Sequence, residues 1–155
     1  MSFTRLVQRI KDGLTAEPAV QQSHDDRLRL ATAAVLLEIA YADGSFSPAE
    51  DGNVLGFLQQ QFKLSADDAR ELVETAAEIR GHTIDHFAMT NFIRKNVPLS
   101  ERIEIVKTMW RTAYSDGRLT DYESYLVRKL ADLLGLEHHV MIDAKVSVLR
   151  EIEAT

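Results

Sequence analysis

Ten residues of this chain recur once with their punctuation intact. Tyr41-Ala42-Asp43-Gly44-Ser45-Phe46-Ser47-Pro48-Ala49-Glu50 returns as Tyr114-Ser115-Asp116-Gly117-Arg118-Leu119-Thr120-Asp121-Tyr122-Glu123. The shared pattern is Tyr-small-Asp-Gly-x-apolar-Ser/Thr-x-x-Glu, at a constant offset in numbering. A long internal period of this kind predicts a duplicated supersecondary unit, in which whatever the loop does it does in two places. Each copy also carries an acidic pair, an Asp and a Glu seven residues apart.

The flanks of both copies are helical in period. Leu28, Ala31, Val35, Leu36 and Ile39 lead into the first, and Ile103, Val106, Trp110 and Ala113 into the second. Apolar residues at these spacings share one face of a helix. Asp-Gly stops each helix, because glycine takes the left-handed C′ conformation at little cost. Ser47-Pro48-Ala49-Glu50 and Thr120-Asp121-Tyr122-Glu123 restart the chain as capping boxes, the first with proline at the opening helical position.

The rest of the chain follows the same plan. Asp25 or Asp26 is the expected cap of the first long helix, running to about Ala42 after a linker from Thr15 to Gln22. Ser65-Ala66-Asp67-Asp68 caps another, Thr83-Ile84-Asp85 opens a further segment, and Ser100-Glu101 opens the helix that leads into the second copy. Gly135 closes the helix of Leu126 and Leu130, and Glu137 to about Ile152 is the last. No stretch alternates as a strand does. The expectation is an all-α single-domain bundle of about seven or eight helices built from an internal duplication. Residues 1–24 hold an N-terminal amphipathic helix and linker, and 25–155 the duplicated domain.

Residues 3–14 form an apolar stripe of Phe3, Leu6, Val7, Ile10 and Leu14, with Arg5, Arg9 and Lys11 on the polar side. A basic amphipathic helix can lie on anionic lipid or dock on protein. A dozen residues of modest apolar bulk favour packing on the domain or on a second copy, which leaves a homodimer open and argues against membrane contact.

Charge and composition exclude several classes. Residues 38–79 hold nine acids against two bases, within a net charge of -6 for the whole chain. That balance argues against a nucleic-acid partner, whose affinity rests on clustered Lys and Arg, and suits a cation or a basic protein surface. The absence of cysteine excludes disulfides, thiolate catalysis and Cys-based zinc sites. Neither a signal-peptide pattern nor a long apolar run stands in the sequence, so the expected location is the cytoplasm. No Gly-x-Ser-x-Gly elbow or phosphate-binding glycine loop occurs, which argues against an enzyme. His82 and His86, spaced i, i+4, lack the Glu of a zinc-protease motif and read as a solvated surface pair, as do His138 and His139.

The acidic pairs remain. Glu50 and Glu123 are explained by their capping boxes. Asp43 and Asp116 stand near helix C-termini, where the macrodipole disfavours an anion. Asp-Gly-x-apolar-Ser/Thr-x-x-Glu matches the second half of an EF-hand loop, although the first and third ligand positions, Ile39 and Tyr41 or Thr112 and Tyr114, carry no carboxylate. Each loop offers a half-site for a hard divalent cation, calcium or magnesium, at Asp43 with Glu50 and Asp116 with Glu123. The alternative is a purely structural helix corner.

The duplicated Tyr-Ala-Asp-Gly-x-Phe-Ser-x-x-Glu and Tyr-Ser-Asp-Gly-x-Leu-Thr-x-x-Glu, each after an apolar helix, resemble the tellurite-resistance protein B (TerB) family over about residues 25–150. The same fold occurs as a regulatory region of DnaJ-like membrane co-chaperones. The resemblance implies an all-helical fold with a pseudo-two-fold duplication. It further implies a stress-linked scaffold module with an unknown protein partner, no established catalytic reaction, and a divalent-metal role for Asp43, Glu50, Asp116 and Glu123.

Overall fold

In the computed structural model the backbone is described for residues 21–42, 48–80, 86–115 and 119–154, and side chains for the same residues except 21–23, 48–51, 79 and 80. Among them are seven helices and no strand: α1 Gln21–Ala40, α2 Pro48–Phe62, α3 Ala66–Arg80, α4 His86–Asn96, α5 Leu99–Tyr114, α6 Asp121–Leu133 and α7 His138–Ala154. The all-α expectation is met. Helix, corner and helix follow one another in both halves, as α1–α2 and α5–α6. Whether the two corners share a conformation turns on Asp43–Ser47 and Asp116–Arg118, which lie outside the described residues, as does the stripe of residues 3–14.

The centre of the bundle is α1. Every residue from Leu30 to Leu37 is buried, and Ala33, Val35, Leu36, Leu37, Ile39 and Ala40 are fully so. A helix apolar on all sides has to be enclosed on all sides, and α2, α3, α4, α5 and α6 all pack against it. The second hub is α5, which touches α1, α2, α4, α6 and α7 and buries Ile105, Val106, Met109, Trp110 and Ala113. Threonines inside these helices satisfy their hydroxyls one turn back. Thr32 donates to the Leu28 carbonyl at 2.8 Å, Thr108 to Glu104 at 2.9 Å and Thr112 to Thr108 at 2.8 Å.

Several helix ends follow local chemistry. The Ser65 hydroxyl accepts the Asp68 N–H at 3.1 Å, the expected cap of α3. Gly135 closes α6 at φ +82, and the Leu136 N–H reaches back to the Ala131 carbonyl at 3.1 Å. Arg102 of α5 locks this end in place, donating through Nη1 to the Leu134 carbonyl at 2.6 Å and through Nε to Val97 at 3.0 Å.

Two helix starts differ from expectation. α1 begins at Gln21 rather than at Asp25 or Asp26, so the last residues assigned to the linker are helical. Asp26 is buried inside α1 and faces Arg29 at 3.4 Å, a pairing one turn along the helix that replaces the capping role. α5 begins at Leu99, with Pro98 in extended conformation as its N-cap. The Pro98 carbonyl accepts from Glu101 at 3.1 Å and Arg102 at 3.0 Å, so Ser100 stands inside the first turn instead of opening it.

Candidate functional site

The second acidic corner is built by two helix ends. α5 finishes at Tyr114, and the N–H and hydroxyl of Ser115 both donate to the Thr112 carbonyl, at 3.2 and 2.7 Å. α6 starts with a complete capping box. The Thr120 hydroxyl accepts the Glu123 N–H at 3.1 Å, and the Glu123 carboxylate accepts the Thr120 N–H at 3.1 Å. The carboxylate is thereby turned back toward the corner, and Glu123 as a whole is only 2% exposed. Among the described residues no Lys, Arg or His pairs with it.

The other three acidic positions are less fully placed. α1 ends at Ala40, where the Tyr41 N–H bonds to Leu37 at 2.9 Å and the Ala42 N–H to Ile39 at 3.1 Å. Asp43 and Asp116 lie outside the described residues. Glu50 stands in the first turn of α2, its side chain likewise outside them. No group of three or more His, Cys, Asp or Glu able to hold a metal occurs among the described residues.

Tertiary packing nonetheless relates the two halves. α2 lies against α5, and the Asn53 amide donates to the Arg111 carbonyl at 3.4 Å. Pro48 is about 7.5 Å along the axis before Asn53, and Ser115 about 6 Å beyond Arg111, at 1.5 Å per residue. The helix that follows the first corner therefore starts at the end of the molecule where the helix leading into the second corner finishes. No spacing in the sequence signals this, because the contact joins residues far apart in the chain.

Two ionic contacts flank this region. Arg111 makes a bidentate pair with Glu151 of α7, both bonds 2.8 Å. The hydrogen bond with Arg111 holds the Glu151 carboxyl below its ordinary value, and the same bond raises the Arg111 guanidinium. His86 is not the solvated partner of His82 expected from their spacing. It opens α4, is 24% exposed at the side chain, and sets Nε2 3.0 Å from a Glu38 carboxylate oxygen on α1. His82 lies outside the described residues. His139 conforms to its surface reading, 72% exposed and 3.4 Å from Glu137. Trp110 is fully buried, with the Lys145 ammonium 5.1 Å from its ring centroid. Tyr41 and Tyr114 pack at the core margin, where burial pushes the Tyr114 hydroxyl up.

Between α2 and α5 runs a groove of about 530 Å³, bordered by Gly52, Asn53, Gly56, Thr108 and Arg111. Between α1 and α4 lies a smaller apolar cleft of about 140 Å³. No described helix is long and apolar enough to cross a membrane.

Comparison with known proteins finds one correspondence. The family model for tellurite resistance protein TerB matches residues 29–146, from the middle of α1 to the middle of α7. No curated protein and no solved structure matches the chain.

Proposed function

The chain belongs to the tellurite resistance protein TerB family, and from that premise we propose that it is a non-enzymatic cytoplasmic binding module, related to tellurite resistance, whose acidic corners hold a divalent cation. Asp43 with Glu50, and Asp116 with Glu123, would supply the carboxylates. Oxygen donors of this kind suit calcium or magnesium. The observation that supports the reading is Glu123: a buried carboxylate, turned toward its corner, with no cationic side chain on it among the described residues. Its environment fits a hard cation in charge and donor type. The common end of α2 and α5 adds that the two half-sites need not be remote from one another.

A second reading, a protein-interaction scaffold with structural corners, is favoured by the completeness of the capping box, since both of its hydrogen bonds are formed without a ligand. One substitution separates the two. Glu123→Gln keeps the capping acceptor, because Gln serves in that position as Glu does, and removes the charge. If a cation binds the native state alone, calcium or magnesium at a hundredfold over its dissociation constant raises stability by about 2.7 kcal/mol. That gain should shrink in Glu123→Gln and vanish in the double variant Asp43→Asn with Asp116→Asn. A melting temperature that stays flat in millimolar calcium and magnesium, against a control of matched ionic strength, together with no heat of binding, would leave the scaffold reading in place.

A further inference from the structure

The groove between α2 and α5 has a measurable bore. Asn53 and Arg111 meet at one end of it. From that contact α2 runs on to Gln60 and Gln61, and α5 leads back to Glu104, all of which border the groove. Gly52 and Gly56 stand one turn apart on the α2 wall, and a Cβ built at either meets nothing within 4 Å. Gly52 to Gln60 is about 12 Å along a helix axis. Spread over that length, about 530 Å³ gives a mean cross-section of about 45 Å². An α-helix with its side chains, about 10–12 Å across, needs about 80 Å² or more. An extended strand, with neighbours about 4.8 Å away on one axis and about 10 Å on the other, needs about 48 Å². The groove has the bore of a single extended chain and not that of a helix.

Its polar groups are of the kind a main chain takes. Among the described residues the side-chain amides of Gln60 and Gln61 have no hydrogen-bond partner, and the Asn53 amide spends one N–H on the Arg111 carbonyl at 3.4 Å. Each amide offers both donor and acceptor, as a peptide group does. The charged residues at the border are matched within the molecule, Arg111 by Glu151 at 2.8 Å and Glu104 by Lys107 at 3.3 Å. An ionic ligand would have to displace one of these partners, whereas an uncharged one does not.

We propose that this groove binds an extended, uncharged segment of a partner protein, roughly three or four residues at about 3.4 Å each. The main chain lies across Gly52 and Gly56, where no side chain holds it off, and exchanges hydrogen bonds with Asn53, Gln60 and Gln61. Its alternate side chains point toward the glycines, and small residues fit there. Glycine inside a helix costs stability relative to alanine, and no contact within the described structure requires it at these two positions. The proposal goes beyond the cation at the acidic corners and does not rest on it.

The probe is a capped tetrapeptide, acetyl-Val-Ala-Val-Ala-amide, titrated to millimolar concentration into the full chain labelled with nitrogen-15, with EDTA present. Saturable shifts are expected at the side-chain amide signals of Asn53, Gln60 and Gln61 and at the backbone N–H groups of Gly52 and Gly56. Gly56→Leu fills the groove. Its melting temperature should equal or exceed that of the unaltered chain, since leucine is the better helix former, while the Kd rises about tenfold or more. Gln60→Met with Gln61→Met keeps the side-chain length, removes both amides and should weaken binding about tenfold. That pair carries the test if Gly56→Leu does not fold. The Kd should be the same in calcium as in EDTA, so failure at the corners and failure in the groove are read separately. Shifts that are absent at millimolar peptide, or confined to residues outside the groove, overturn the proposal. So does Gly56→Leu that binds as tightly as the unaltered chain. Maltose moving the same signals at lower concentration than the peptide overturns it in favour of a glycan. Shifts that grow with protein concentration alone, alongside a dimer in sedimentation, overturn it in favour of a second copy.

Discussion

The two hub helices, α1 and α5, touch five neighbours each yet are built differently. α1 buries an unbroken run from Leu30 to Leu37, packed against five neighbouring helices. α5 buries one face, through Val106, Met109, Trp110 and Ala113. On the other side it carries ion pairs, Lys107 to Glu104 at 3.3 Å and Arg111 to Glu151 at 2.8 Å. The difference teaches where directional chemistry resides in this bundle. The enclosed run of α1 has no wet face on which to place charge, because an unpaired ion there would lose its hydration. The charged groups of this helix stand on either side of the run, Asp26 with Arg29 before it and Glu38 facing His86 after it. A helix with one open face can tie distant parts of the chain together, as Arg102 ties α5 to the end of α6 and Arg111 ties it to α7.

The contrast breaks first if α1 tolerates truncation. Leu36→Ala should cost about 2–5 kcal/mol by chemical denaturation, the range for an enclosed leucine. Glu104→Ala on α5, whose partner Lys107 lies on the same helix, should stay within about 0.5 kcal/mol. Comparable losses for the two would refute the division between an inner and an outer hub.

The reach of α5 toward α6 is tested at Gly135. A Cβ there would stand 2.8 Å from Arg102 Nη1 and 2.9 Å from Arg94 Cδ, on a backbone already at φ +82. Gly135→Ala should destabilise by about 1–2 kcal/mol from the left-handed conformation alone. Gly56→Ala offers the control, since a Cβ there meets nothing within 4 Å. It should be neutral or stabilising by up to about 1 kcal/mol, as expected for alanine in place of a helical glycine.

The corner between α5 and α6 comes next in magnitude. Thr120→Ala should cost about 1 kcal/mol, the usual worth of an N-cap side chain, with Thr120→Ser restoring most of it. A cost near zero would mean that packing alone holds the start of α6.

The smallest effect separates the two hubs by their sensitivity to solution conditions. The Glu151 carboxyl is held below its ordinary value near 4.5 by its hydrogen bond to Arg111. A carboxylate depressed in the folded state contributes stability above its unfolded value and loses it as pH falls through the folded one. Both partners are partly exposed, so the contribution should lie at about 0.2–1 kcal/mol. The difference between the unaltered chain and Glu151→Gln should be full at pH 7, shrink below about pH 4.5 and weaken with salt. The Leu36→Ala difference should respond to neither.

The parts of the fold legible in the sequence are those set by interactions within one turn. Ser65, Thr120 with Glu123, and Gly135 mark helix ends where their hydrogen bonds or φ confirm them. Such chemistry needs only neighbours three or four residues away. The misplacements have the same origin. Ser100-Glu101 reads as the opening of α5, but the helix starts at Leu99 with Pro98 in the N-cap position. His86 resembles half of an i, i+4 pair, but α4 docks it on Glu38. Of the four candidate carboxylates, the motif identified all by type, whereas only Glu123 has a described side chain.

By itself, then, the sequence determined an all-helical chain, the punctuation of its helices and the family to which it belongs, because periodicity and capping are local. Only the tertiary structure decided that α1 is enclosed while α5 keeps an open face. It alone placed Asn53 on Arg111 at the common end of α2 and α5, and left an apolar cleft beside the entry of the chain. Those outcomes depend on which apolar faces meet. Hydrophobic contact is non-directional, so many pairings satisfy one stripe, and only simultaneous packing of all the helices selects among them.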